Sequence, residues 1–369
     1  MGVERRSAFA SLRESAVKSV LILHAYSSRN RGDGLLVEYA VRLAQEAFPA
    51  ESVSVTVVAR DCDSFSHLDV ELVDALPRGL SELAAYARTL KRIANFDLIL
   101  GVGGGYLRFG TPTEAMKAAV VHLPQLLATR RSSGQAVYLP QSVGPLRFGT
   151  RPIVQHLLGR TRQVFVRDDR SASDLTPCDN VVREPDLAIV LGEFRRTSES
   201  IDPVPVLTVR SVGGGVPHQV RSLASAIGVF DGYVQSSVGG NDDREAMRSL
   251  GARQLLDESE LMAAGAAPRV VIAVRLHAAL IALHNGHFVI HLAYERKGFG
   301  AFEDLGLLEY VHPVGTFAVS EVREQAQKLV TDTRARQEYD GLIQDRSERL
   351  AGARDRIVGA LRSTAGART

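Results

Sequence analysis

The chain has 369 residues, too many for one typical domain core, and a division into two domains of about 180 residues each is the natural expectation. Hydrophobic residues at 45% and charged residues at 23% describe an ordinary globular protein, and a net charge of +2 offers no strongly basic face, so no nucleic-acid partner is expected. Two cysteines far apart in sequence, Cys62 and Cys178, suggest neither a disulfide framework nor a thiolate zinc site, and they fit a reducing compartment. No apolar run reaches about 18 residues, so no spanning helix is expected. The segment Met1 to Ser19 lacks an apolar signal core. The expected location is cytoplasmic, with peripheral association at the inner membrane face left open.

Apolar runs alternate with amphipathic segments along the first half. Val17–His24 reads as a strand, and Asp33 as the cap of a helix whose apolar stripe includes Leu36, Tyr39, Ala40, Leu43 and Ala47. Val53–Ala59 is a strand, Gly79–Ala94 a helix, and Asp97–Val102 a strand running into glycines. Pro112–Arg130 reads as a helix, Gln135–Leu139 and Val164–Val166 as strands, and Asp186–Val190 closes the half. Gly192 to Pro205 has charges, Ser, Thr and two prolines without periodicity, which marks an interdomain linker. The pattern then restarts. Strands are expected at Val206–Val209, Tyr233–Ser236, Val270–Val274 and Phe288–Leu292. Helices are expected at Pro217–Val229, Asp243–Leu250, Glu258–Ala264 and Arg275–Asn285. Ser320 caps a charged helical region that runs to a Gly/Ala/Thr tail. The alternation predicts two tandem α/β domains, residues 1–192 and 193–369, each with a parallel doubly wound sheet, and a cleft between them.

The chemistry-bearing residues stand at strand ends, where open α/β sheets bind ligands. Arg275, Leu276 and His277 lie where a strand meets a helix N-terminus, a place suited to an anion such as phosphate. Asn30-Arg31-Gly32-Asp33-Gly34 is either a ligand-facing loop or a tight turn capped by Asp33. It does not fit a dinucleotide fingerprint. Gly103, Gly104 and Gly105 would be wasteful in a mere turn, which favours close backbone approach to a substrate, with an anion nest also open. Gln141 and Ser142 can hydrogen-bond a polyhydroxylated ligand, unless Pro140–Pro145 is only a rigid loop. Arg167 and Arg210 end strands in the two halves; Arg167 could bind phosphate or pair with Asp168 or Asp169. His284, His287 and His291 meet no recognised ligand spacing and read as structural or surface groups, so no metal is expected.

Taken in order, these pieces resemble the polysaccharide pyruvyl transferase family. The matching segments are Asn30-x-Gly32-Asp33, Gly103-Gly104-Gly105, Pro140-Gln141-Ser142-Val143-Gly144-Pro145, Val166-Arg167-Asp168 with Ser171, Asp186-Leu187-Ala188, Arg275-Leu276-His277, and Tyr294 with Lys297. They cover roughly residues 20 to 310. Gly286-His287-Phe288-Val289 departs from the Gly-x-Pro-x run frequent there, which leaves room for an unusual acceptor. The resemblance implies a GT-B-like fold of two Rossmann-like domains. It implies transfer of pyruvate from phosphoenolpyruvate to a sugar of a polysaccharide or its glycan precursor, free or lipid-linked, as a cyclic ketal in cell-envelope synthesis, with no cofactor. The implied catalytic residues are His277, Arg275 and Arg167. Asp33, Gly103, Gly104, Gly105, Gln141, Ser142, Arg210, Leu276, Tyr294 and Lys297 complete the substrate-binding set. His277 suits the acid/base role because each step moves a proton near neutrality. A GT-B glycosyltransferase using a nucleotide sugar, and a non-catalytic glycan-binding relative, are the alternatives.

Overall fold

The computed structural model describes residues 17–132, 134–194, 196, 200–236, 242–261 and 266–366. Two parallel sheets organise the chain. The first contains β1 (Lys18–Ala25), β2 (Val53–Ala59), β3 (Glu71–Asp74), β4 (Leu98–Gly101), β5 (Gly104–Phe109), β6 (Ala136–Leu146), β7 (Gln163–Val166) and β8 (Val181–Arg183). Its order is β3-β2-β1-β4-β6-β7-β8, with β5 beside the distal part of β6. The second contains β9 (Val206–Thr208), β10 (Asp231–Tyr233), β11 (Leu255–Leu256), β12 (Val270–Ala273), β13 (Phe288–Ala293) and β14 (Val311–Pro313), in the order β11-β10-β9-β12-β13-β14.

In both sheets the order reverses once, between β1 and β4 and between β9 and β12. Connections leave in opposite directions there, which opens a crevice at the strands' carboxyl ends. His24 and the Gly103–Gly105 run stand at the first reversal. Arg210 and Arg275 stand at the second. The motif residues sit there because the chain reverses there.

Burial on both faces explains the continuous apolar runs. Along β1, Val20 and Ile22 enter one core with Leu36, Ala40 and Leu43 of helix Arg31–Ala47, while Leu21 and Leu23 face the opposite core with Tyr86, Leu126 and Leu157. A further cluster surrounds the second sheet and takes in Leu35, Ala188 and Ile189 from the first half. The last described helix, Ser347–Gly366, returns to the first sheet: Ala353, Ile357, Leu361 and Ala365 pack in the same core as β1. Arg356 pairs with Glu184 at 2.5 and 2.9 Å, and Arg354 with Glu46 at 2.8 Å. Asp304 receives Arg183 and Arg349, tying β8, the helix Arg296–Asp304 and the returning helix together. Among the described residues, no helix is long and apolar enough to cross a membrane.

Several local expectations are corrected. Asp33 is not the cap of helix Arg31–Ala47. Asn30 holds that position, and Asp33 lies in the first turn, accepting from the Asn30 amide at 2.8 Å. Pro140–Pro145 is not a loop after a strand but lies within β6, since β5 and β7 pair with that stretch. The glycine run leads into β5 rather than a helix. Pro112–Arg130 is not one regular helix. It divides into Pro112–Lys117, a wide π turn at Ala118–His122, and Leu123–Ala128. Pro124 lacks the N–H and crowds the preceding turn, which accounts for the wider turn there. Ser320 is inside the first turn of helix Val319–Thr331, whose cap position is Ala318. The expected helix Glu258–Ala264 is described only as Glu258–Leu261; the remainder lies outside the described residues. Strands β3, β8, β11 and β14 have two to four residues and form the four sheet edges. Edges this short hold too few positions for a periodic pattern.

Candidate functional site

The crevices of the two sheets face one another in a cleft of about 430 Å³. Asp33, Gly104, Gly105 and Arg167 come to it from the first half. Arg210, Arg275, Leu276, His277, Tyr294 and Lys297 come from the second. Residues separated by more than 200 positions therefore share one wall. Gly103 lines an adjoining chamber, and Ser142 a neighbouring hollow bordered by Gly105, Arg108, Tyr294 and Lys297. Gln141 lines none of the three; it is fully buried, with both amide atoms lacking a protein partner.

Close approach of two helix starts makes the cleft. A Cβ on Gly32 would stand 2.4 Å from His277 Nδ1 and 2.5 Å from its Cβ, so only glycine lets the helices starting at Arg31 and Leu276 meet. The glycine read as room for a ligand is thus room for a catalytic candidate. A bridge between Asn30 and Ser236 adds a backbone tie across the same junction.

The two central arginines are held rigidly. Arg167 is 5% exposed and Arg275 8%. Nε of Arg167 donates to Ser142 Oγ at 2.9 Å, and Nη1 donates to Asp186. Its partner is therefore neither Asp168, which caps its own helix at the Ser171 N–H, nor Asp169. Burial by itself would raise the Asp186 carboxyl, but Arg167 and His277 outweigh it and hold the group well below the usual carboxylate range. Arg275 donates to both oxygens of Asp243, at 2.5 and 2.7 Å. Burial raises the Asp243 carboxyl, opposed by that guanidinium. The forked pair with Asp243 fixes the plane of the Arg275 guanidinium, and the two separate contacts to Ser142 and Asp186 fix that of Arg167. Nη2 of Arg167 comes within 3.6 Å of where a Gly105 Cβ would be, so Arg167 and the glycine backbone share one wall.

His277 stands between two carboxylates. Its Nε2 is 3.8 Å from Asp186, an ion-pair distance too long for a hydrogen bond. Asp33 is the other: burial pushes its carboxyl up, against the pull of His277, the Asn30 amide, Lys297 and Arg167. Arg210 donates to the Tyr294 hydroxyl at 2.9 Å and lies 5.0 Å over its ring. Lys297 pairs with Glu295 at 2.9 Å.

His284, His287 and His291 each donate a ring N–H to a backbone carbonyl, of Ala188, Leu261 and Ala273, at 2.5, 2.7 and 2.8 Å. They are interior groups rather than surface ones. Sequence reasoning missed Arg108, Glu114, Gln235 and Glu295 in the cleft. Arg108 lies on the unrecognised β5. Glu114 completes a capping box with Thr111, a Thr-x-x-Glu spacing that was open to detection.

A family model described as polysaccharide pyruvyl transferase matches residues 30–296. No curated protein matches the chain. Among solved structures, the chain is similar to an O-GlcNAc transferase mutant from Thermobaculum terrenum, at 13% identity and a TM-score of 0.50, covering 96% of this chain and 69% of that one. It is also similar to UGT2 from Phytolacca americana, at 12% identity and a TM-score of 0.45, covering 95% and 97%. At such identity the likeness concerns fold alone: two Rossmann-like units in a GT-B-like arrangement.

Proposed function

The chain belongs to the polysaccharide pyruvyl transferase family, and from that premise we propose that it moves pyruvate from phosphoenolpyruvate to two hydroxyls of one sugar unit, as a cyclic ketal. The observation that carries the reading is the convergence of Arg167, Arg210, Arg275, Lys297 and His277 from both halves on one cleft. Phosphoenolpyruvate bears a phosphate and a carboxylate on neighbouring atoms. Its recognition asks for two cationic groups of fixed spacing, and guanidiniums held by Asp186 and Asp243 supply them without reorganisation.

The chemistry balances with two hydroxyl protons. Protonation of the enol methylene carbon forms the methyl group and makes C2 electrophilic. One sugar hydroxyl adds to C2 and loses its proton. The C2–O bond to phosphate breaks, the second hydroxyl closes the ring, and its proton leaves with phosphate. His277 is the proton carrier in this scheme, and Asp33, whose carboxyl is pushed up by burial, is the group beside it that can share the load. Leu276 and Tyr294 shape the donor pocket. The acceptor is a glycan precursor at the cytoplasmic side of envelope synthesis.

A phosphate-release screen tests the reading. The purified chain is offered phosphoenolpyruvate or nucleotide sugars with free and lipid-linked glycans. Acceptor-dependent phosphate release from phosphoenolpyruvate, with a mass increase for pyruvate less water on the glycan, supports it. Sugar transfer from a nucleotide donor in its place overturns it.

A further inference from the structure

Beside the cationic cleft lies a second chamber of about 290 Å³, within the first half. Its wall includes His24, Tyr106 and His122 together with Val37, Val102 and Ala118. Asp33, Gly104, Gly105, Arg108 and Glu114 border both spaces, so the two are contiguous. The charge is unevenly divided. Of the chamber's two cations, Lys117 is exposed, and Arg108 is engaged with Glu114 at 3.2 Å and Glu295 at 3.4 Å.

The aromatic wall is assembled against several local preferences. His24 has φ 71°, a left-handed conformation costly for a non-glycine residue. Its ring stacks on Tyr106 at 4.6 Å, and His122 lies 5.5 Å from the one and 5.0 Å from the other. His24 Nε2 is 3.1 Å from the Tyr138 hydroxyl. Both imidazoles are buried, at 1% and 5% exposure. Nδ1 of His24, Nδ1 of His122 and the Tyr106 hydroxyl have no protein partner. Leaving such atoms unsatisfied is unfavourable, so the arrangement calls for a ligand that completes it.

Burial keeps both rings neutral. Burial, with His122 as a lesser cause, lowers the His24 ring well below its ordinary value, and burial brings His122 down to about 4. A neutral imidazole presents either an N–H or a lone pair at its open nitrogen. A hydroxyl answers both, because it donates and accepts. A flat, stacked wall also suits the apolar face of a sugar ring.

We propose that this chamber is the acceptor subsite: it seats an uncharged hexose whose hydroxyls engage His24, His122 and Tyr106, and presents the reacting hydroxyl pair across Gly104 and Gly105 to the donor. The assignment rests on the pyruvyl-transfer reading for its link to chemistry, and it excludes a uronic acid in the seat, since Asp33 and Glu114 line the chamber and its arginine, Arg108, is already engaged by Glu114 and Glu295.

Saturation-transfer NMR on the full chain tests it, with the methyl glycosides of glucose, galactose and mannose and the methyl glycoside of glucuronic acid as probes. At least one neutral hexoside binds and the glucuronide does not. His122→Gln and Tyr106→Leu each weaken that hexoside by about tenfold, as expected for a lost polar contact, while phosphoenolpyruvate binding, followed by phosphorus line width, stays within about twofold. No hexoside binding to the wild-type chain, equal binding of the glucuronide, or indifference to both variants overturns the proposal. Should a variant fail to fold, nitrogen-15 histidine spectra of the wild-type chain decide: the bound hexoside shifts the signals of two imidazoles that stay neutral at pH 6, and unmoved signals overturn it. A chain that binds the hexoside in this way but not phosphoenolpyruvate loses the donor reading and keeps the sugar seat.

Discussion

The two halves share one strand order and use it differently. At the reversal of the second sheet stand Arg210, Arg275 and His277. At the reversal of the first stand His24, the glycine run and, one helix turn on, Asp33. The second half supplies charge held by carboxylates; the first supplies close backbone approach and neutral rings. Arg167, from the end of β7, and Arg108, on β5, are the exceptions that carry cations from the first half to the shared cleft. The histidines divide the same way. In the second half His284, His287 and His291 are satisfied by backbone carbonyls and His277 keeps an unpartnered nitrogen in the charged cleft, whereas His24 and His122 keep theirs in the first half's chamber. One topology can therefore carry a charged wall and a neutral one, because the sheet fixes only where side chains emerge and not what they are.

The largest expected effect breaks the second half's role outright. His277→Gln lowers turnover by about a hundredfold or more while donor affinity changes only severalfold, which steady-state rates and calorimetric donor binding separate. Near wild-type turnover moves the proton carrier elsewhere, with Asp33 and His24 next. Arg275→Ala weakens phosphoenolpyruvate binding by about ten- to a hundredfold, the loss expected for a charge-assisted contact; unchanged binding there and in Arg167→Ala removes both from the donor site.

A third test sharpens the comparison through pH. Burial lowers His122, His284 and His291 to about 4 from an ordinary 6.5, the latter two against the pull of a backbone carbonyl. The folded pKa values are depressed, so the unfolded chain binds more protons between the two values. The stability contribution is complete above about pH 6.5 and is lost as pH falls toward 4. Melting temperature should therefore drop steadily from pH 7 to 5, and His122→Phe should flatten that slope. A flat profile in the wild-type chain contradicts the neutral, buried assignment. The smallest effect concerns the tie between the halves. Ile357→Val, in the returning helix, should cost about 0.5–1.5 kcal/mol of stability and soften the first domain's melting although the change lies near the chain's other end. A melt that leaves the first domain untouched shows the helix to be dispensable there.

Much of the architecture was legible because long buried strands are apolar on both faces. Val53–Ala59 needed nothing more than its own composition, and the restart after Pro205 marked a second sheet. The site was legible to the extent that it follows strand ends: Arg167, Arg210, Arg275 and His277 were expected at ligand-facing positions, and the structure brings them to one cleft. Illegible were the short edge strands, the continuation of β6 through two prolines, and with β5 the presence of Arg108. Pairing with a neighbour decides those, and pairing is not local.

By itself, then, the sequence determined which residues end strands and which segments must be buried, since hydrophobic periodicity and helix signals are properties of consecutive residues. Tertiary structure alone decided who meets whom. Gly32 is a contact for His277 only because two helices 245 positions apart start at the same point, and Arg167 answers to Asp186 rather than to the adjacent Asp168 because the loop after β8 folds back over it. Partner choice between charged groups depends on distance and burial in space, and neither is encoded by spacing along the chain.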